Sequence, residues 1–395
     1  MKYILILGGG TANKGAQAMV FQVVQEVNAL GKDFEAVALC NPSNNDMTDD
    51  NYRFRLAPLT DKEITYFCGG IYRGYSKLKG VKKERIEMLQ EIFENAVFCY
   101  DVSGYSFSSE WNYKNALKYL LRIKIMQRYN IPVVVMPQSF GPFDFQSTIK
   151  SIITKMARKL LAYPIRIYAR EQFSLDAIKE MLTEDNAQLA PDMVFSGPEI
   201  DPSYIYKKIP EPLQADIGDN AAAIVPNMKV AQKGTMEAAI ADYMRCIDTI
   251  LELREGKVYL VAHSTADMTI CKALIEYYFE NTRVVLYDKE LTCLEYEQLI
   301  SKFEFAVVSR YHSLVHAYKS NVPCIVLGWS PKYSELMKLV SQEKYMLNNG
   351  DNFTADIIGN LVMSITKNAE REKELIRKGV ENSRGTDFYR ELKEL

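Results

Sequence analysis

Arg310 and His312 occupy a setting suited to chemistry on a small anion. Phe305–Val308 reads as a buried strand, Ser309-Arg310-Tyr311-His312 as the turn after it, and the residues beyond as a helix. The unpaired N–H groups and positive end of such a helix attract an anion, and arginine offers a planar fork to carboxylate or phosphate. The chain has three histidines, so one of them beside an arginine is a pointed placement. An imidazole titrating near neutrality can give or take a proton there. The same logic selects other strand ends. Arg170 follows the strand Ile165–Ala169 and supplies a second fixed cation. The strand Val322–Leu327 leads to Pro331-Lys332, where an ammonium at a helix start is electrostatically disfavoured unless it serves a ligand. His263 closes the strand Val258–Ala262 ahead of a helix near Asp267, a position that suits a phosphate or a backbone hydrogen bond. Asp192, after Ala190-Pro191, is a base toward a hydroxyl or the ion-pair partner of Arg170.

Other motifs are less specific. His316 shares a helical face with His312, but Ser313 stands where a zinc motif of the HExxH kind needs Glu, and no third ligand is evident. No metal is expected, and His316 reads as structural or as a partner that orients His312. The loop Gly8–Gly15 offers backbone N–H groups before a helix. It lacks the Gly-Lys-Ser/Thr of a phosphate-binding loop, and Asn13 and Gly15 are expected on the acceptor side of a cleft. Tyr105, Phe107 and Trp111 could stack on a sugar ring.

These residues need a frame that brings strand ends together. Short apolar strands alternate with amphipathic stretches throughout, the signature of parallel α/β sheets. Strands are expected at 3–7, 34–39, 96–100, 132–136 and 165–169, then at 222–225, 258–262, 283–286, 305–308 and 322–327. The first helix should be capped by Asn13 and stopped by Gly31. Pro and Gly crowd the stretch between Ser196 and Gly218. The expected organisation is a Rossmann-like domain at 1–200, a linker at 201–218, a second Rossmann-like domain at 219–363, and a charged helical segment at 364–395 that packs back on the first. Two doubly wound α/β domains then face each other across a cleft, and ligands bind at the carboxyl ends of their strands.

At 395 residues and 48% hydrophobic, with a net charge of −2, the composition is globular and gives no reason to expect nucleic acid. No run approaches the about 18 apolar residues of a membrane span. Seven scattered cysteines without a CxxC pair fit a reducing compartment, and a cytoplasmic location is expected. Residues 113–170 hold 11 bases against one acid, Asp144, and a second basic cluster runs from Arg73 to Arg85. Both are solvated helix faces or a surface that meets an anionic membrane.

The ordered strand-end motifs resemble the polysaccharide pyruvyl transferase family. They run Gly8-Gly-Gly-Thr-Ala-Asn-Lys-Gly15, Asp101-Val-Ser-Gly104, Pro137-Gln-Ser-Phe-Gly-Pro142 and Ala169-Arg170-Glu171 with Ser174. Ala190-Pro-Asp192, Val261-Ala-His263, Ser309-Arg-Tyr-His312 and Pro331-Lys332 follow. The chain departs from the family pattern at Ala16-Gln17, Ser103-Gly104-Tyr105 and Tyr311. The resemblance implies a GT-B-type fold and transfer of pyruvate from phosphoenolpyruvate to sugar hydroxyls as a ketal, with no cofactor. It matches Arg170, Arg310 and His312 to the donor site, with His312 and Arg310 as catalytic groups; His263 and Lys332, by their own placement, are expected beside the phosphate. Asn13, Gly15, Ser103, Gly104 and Asp192 would lie on the acceptor side. The expected partners are phosphoenolpyruvate and a sugar on a diphosphate lipid, with peripheral contact at the inner face of the membrane. A GT-B glycosyltransferase using a nucleotide sugar and a non-catalytic polysaccharide-binding relative are the rivals.

Overall fold

The computed structural model describes residues 1–40, 50–69, 81–348 and 354–394. Arg73, Lys77 and Lys79 of the second basic cluster lie outside them. The chain forms two parallel sheets. The first contains β1 (Lys2–Leu7), β2 (Phe34–Leu39), β3 (Arg55–Leu56), β4 (Ala96–Asp101), β5 (Val133–Gln138), β6 (Arg166–Ala169) and β7 (Ala187–Leu189). The second contains β8 (Ala222–Val225), β9 (Val258–Val261), β10 (Val284–Tyr287), β11 (Phe305–Val308), β12 (Cys324–Gly328) and β13 (Met346–Asn348). All ten expected strands are present, and the added three are two- or three-residue edge strands.

Both faces of the first sheet are covered. Along β1, Ile4 and Ile6 join Val20 and Val24 of the helix Lys14–Ala29, while Leu5 and Leu7 join Leu89 and Ile123 on the opposite face. The Asn13 side chain caps that helix by accepting from the N–H groups of Gly15 and Ala16, and Gly31 beyond its end has φ of 102°.

Strand order is β3-β2-β1-β4-β5-β6-β7 in one sheet and β10-β9-β8-β11-β12-β13 in the other. The order reverses between β1 and β4 and between β8 and β11, so neighbouring connections part to opposite faces and leave a crevice at each point. The loops at these crevices carry Gly8–Gly15, Asp101–Gly104, Asn227 and Ser309–Arg310.

The stretch 201–218 is tied down rather than free. Arg53 N–H donates to Ile205 O, Lys207 N–H to Asn51 O, and Leu213 N–H to Gln298 Oε1 of the second domain. Residue 364 falls inside the helix Ala355–Lys367, whose buried face holds Ile358, Val362 and Ile365 against the second domain. The returning segment therefore starts later than 364. It follows the helix Ala369–Asn382 and sets Phe388 5.2 Å from the ring of Tyr168 and Tyr389 5.4 Å from that of Tyr100.

Candidate active site

A cleft of about 210 Å³ lies between the two sheets and brings together Asn13, Ser103, Gly104, Arg170, His263, Arg310, His312 and Lys332. Gly15 does not line the cleft but packs directly against the His312 ring. A Cβ on Gly15 would fall 2.2 Å from Cγ of the imidazole, so only glycine lets the first helix approach this ring.

His312 is the second residue of the helix Tyr311–Lys319, and its side chain is 14% exposed. Its Nε2 faces Asp192 Oδ2 at 3.5 Å, the outer limit of a hydrogen bond. Asp192 is fully enclosed. It caps the helix Met193–Ser196 through the N–H groups of Val194 and Phe195 and accepts from Arg170 Nη1 at 2.9 Å. Burial raises the Asp192 carboxyl, but His312 and then Arg170 more than reverse this and hold it well below the carboxylate range. Asp192 thus stands behind His312 rather than on the acceptor side, and with no exposed oxygen it is no base for a sugar hydroxyl. Burial pulls the His312 pKa down against the pull of Asp192, so the ring is neutral at neutral pH.

Arg170 is held from three sides. Nε donates to Ser139 Oγ at 2.9 Å and to Glu171 Oε1 at 3.0 Å, and Cζ lies 4.2 Å from the Tyr311 ring centroid. That cation–π contact accounts for tyrosine at 311. Arg310 corrects one expectation. Its fork grips Asp267, with Nε donating to Oδ2 at 2.8 Å and Nη2 to Oδ1 at 2.6 Å, while Nη2 also reaches Ser264 Oγ. Among the described residues nothing engages Nη1. Asp267 itself closes a capping box on Ser264 and accepts from Met228 N–H, so three loops converge on one buried carboxylate.

Lys332 opens the helix Lys332–Leu339. Its Nζ lies 4.4 Å from the Trp329 ring, 5.0 Å from Tyr105, and 5.7 Å from Tyr311 and Tyr333. Burial, and then the nearby Arg170, push this ammonium down to about 7. His263 sits at the back of the cleft, 0% exposed, edge-on to Tyr296 at 4.9 Å and 5.8 Å from His316. Burial drives its pKa well below the usual value. A neutral, enclosed imidazole brings no positive charge to a phosphate, contrary to its expected role. His316 packs with His263 and Tyr296 and faces Glu297 at 3.6 Å, so the orientation of His312 falls to Asp192 instead.

On the facing wall, Ser103 N–H donates to Asp101 Oδ1 at 2.8 Å. Tyr105 and Trp111 meet edge to face at 5.9 Å, with Lys229 Nζ of the second domain 3.7 Å from the Trp111 ring. Phe107 is core, stacked on Tyr119. Gln17, where the family pattern departs, is spent on the domain interface, its Oε1 accepting from Cys293 N–H at 2.6 Å. Sequence reading missed Asp267, Asn227, Lys229, Trp329 and Tyr333. Asp267 had a signal in Ser264-Thr-Ala-Asp267, a capping box directly after a strand.

Two doubly wound domains with a cleft between their strand ends define a GT-B-type fold. Solved structures of that fold agree over essentially the whole chain. The S. aureus MnaA–UDP structure matches with TM-score 0.57 and 9% identity, over 98% of this chain and 94% of that one. The Methanocaldococcus jannaschii UDP-GlcNAc 2-epimerase in complex with UDP-GlcNAc and UDP matches with TM-score 0.55 and 11% identity, over 96% and 99%. The glycotransferase of kitacinnamycin matches with TM-score 0.58 and 12% identity, over 100% and 98%. A search of curated proteins finds no significant match. The polysaccharide pyruvyl transferase family model matches residues 13–331, and the chain belongs to that family. It is a transferase of polysaccharide biosynthesis.

Proposed function

We propose that the enzyme transfers the pyruvyl group of phosphoenolpyruvate to two hydroxyls of one sugar as a cyclic ketal. The observation that carries this reading is the pairing of His312 and Lys332 in one cleft between Arg170 and Arg310. Two titratable groups moved to the acid side of their usual ranges divide the proton work. Neutral His312 takes the proton of the attacking hydroxyl, and protonated Lys332 gives one to the methylene carbon. The first hydroxyl oxygen bonds to the central carbon as the C–C double bond becomes a methyl group. The bond to the phosphate oxygen then breaks, inorganic phosphate leaving with the proton that His312 took, and the second hydroxyl adds in its place and returns its proton to Lys332. Arg310 Nη1, Lys332 and the start of the helix Tyr311–Lys319 counter the charge of carboxylate and phosphate.

The acceptor sugar rides on a membrane diphosphate lipid, and the reaction runs at the inner face of the membrane. The exposed bases of the helices Tyr113–Arg128 and Ser147–Leu160 support this, since Lys114, Lys124, Lys150, Lys155, Arg158 and Lys159 face outward or lie at the surface. No described helix is long and apolar enough to cross a membrane.

Incubation with phosphoenolpyruvate and lipid-linked sugars in deuterated water tests the chemistry. Phosphate release with a deuterium-labelled methyl group in the product is the expected result. The UDP in the S. aureus MnaA structure, a neighbour in fold, favours one other reading, a nucleotide-sugar glycosyltransferase. Thermal stabilisation by UDP-sugars and none by phosphoenolpyruvate would select it.

A further inference from the structure

Tyr105 and Trp111 separate two cavities. On one side lies the reaction cleft; on the other lies a second cavity of about 520 Å³, entirely within the first domain. Its wall is formed by Thr60, Asp61, Ser106, Asn115, Lys118 and Arg122 around the indole of Trp111. Lys118 Nζ pairs with Asp61 at 2.8 Å, so one acid faces two bases and the lining carries little net charge. Burial raises the Asp101 carboxyl while Arg122, itself 4% exposed, pulls the other way, and Asp101 accepts from the Ser103 N–H on the cleft side. The two cavities thus share the loop after β4, with Tyr105 and Trp111 bordering both.

An aromatic face bordered by hydroxyl, carboxamide, carboxylate and ammonium groups is the chemistry that recognises carbohydrate. The apolar face of a pyranose lies on the ring, and its hydroxyls bond to planar polar groups. The volume is in the range of small-molecule sites, while the reaction cleft alone is smaller. Polyphosphate is a poor fit, because Asp61 already occupies Lys118. Trp111 borders both cavities, so a glycosidic linkage would pass beside it.

We propose that this cavity binds the sugar adjoining the one that is modified, so that the acceptor is an oligosaccharide at least two units long. The inference rests on the pyruvyl-transfer reading and specifies its acceptor. The sugar that receives pyruvate lies in the cleft by His312, and its neighbour lies against Trp111 among Ser106, Asn115 and Lys118.

The chain has two tryptophans, so Trp329→Phe leaves Trp111 as the sole indole reporter. Its emission is titrated, with phosphoenolpyruvate present, against matched pairs: glucose and cellobiose, galactose and galactobiose, mannose and mannobiose, N-acetylglucosamine and chitobiose. In at least one pair the disaccharide should act at a concentration tenfold or more below its monosaccharide. Asn115→Phe, at an exposed position in the first turn of its helix, fills the cavity and should abolish that advantage without lowering the melting temperature. Equal responses to both members of every pair, no response to any sugar, or an advantage that survives Asn115→Phe overturns the proposal. Failure of phosphoenolpyruvate to stabilise the protein would instead sink the transfer reading and leave disaccharide binding intact.

Discussion

His312 has almost no freedom of position: Asp192 lies behind it and Gly15 touches its ring. Gly15→Ala should therefore move the imidazole rather than unfold the protein. A misplacement of about 1 Å costs on the order of a hundredfold in rate, so kcat should fall that far while the denaturation midpoint changes little. The two shifted bases give a second expectation. The active form needs Lys332 charged and His312 neutral, so kcat/KM should fall as pH rises through about 7 and fall again where His312 protonates. Lys332→Arg keeps its charge but cannot release a proton. It should lose a hundredfold or more in rate and lose the alkaline limb, and a pH profile with that limb unchanged would refute the assignment. The strand–turn–helix pattern was enough to find Arg310, His312, Arg170 and Lys332. It could not reveal which carboxylate each cation meets. Asp267 lies 43 residues before Arg310, and Asp192 is 120 residues before His312, so these pairings arise only from the tertiary fold.

At the scale of elements, long buried runs announced themselves. Ala222–Val225 and Phe305–Val308 coincide with the expected bounds because every residue is apolar and enclosed on both faces, and Phe34–Leu39 coincides through its four buried residues Ala36–Leu39. The edge strands β3, β7 and β13 pair with one neighbour, include half-buried or exposed positions, and are too short for any periodicity to register. Asn13 shows how one residue serves both element and site. It caps the first helix, and its backbone bridges Ser264 across the cleft. Asn13→Ala should cost about 1 kcal/mol in urea denaturation, and Asn13→Asp, which preserves the cap, should recover most of it.

Over the whole molecule, the two lobes are joined by more than the stretch 201–218. Gln17 bonds Cys293, Lys319 Nζ donates to Pro198 O at 3.1 Å, and the C-terminal residues return to the first sheet. Phe388 is 5% exposed against Tyr168, so Phe388→Ala should destabilise by about 3 kcal/mol and loosen the chain end to proteolysis. Charge counting was the least transferable part of the sequence reading. Of the 11 bases in residues 113–170, Lys118 and Arg166 pair with Asp61 and Glu391, Arg128 donates to Phe67 O, and Arg122 and Arg170 are interior. If the remaining six meet anionic lipid, co-sedimentation with phosphatidylglycerol vesicles should weaken as salt rises.

All seven cysteines are buried. An engineered thiol at an exposed position would consequently be the one readily reached by a maleimide dye. A donor and an acceptor fluorophore, one on each lobe, could then measure the distance between the halves with and without substrate, with no need to strip the native sulfurs first.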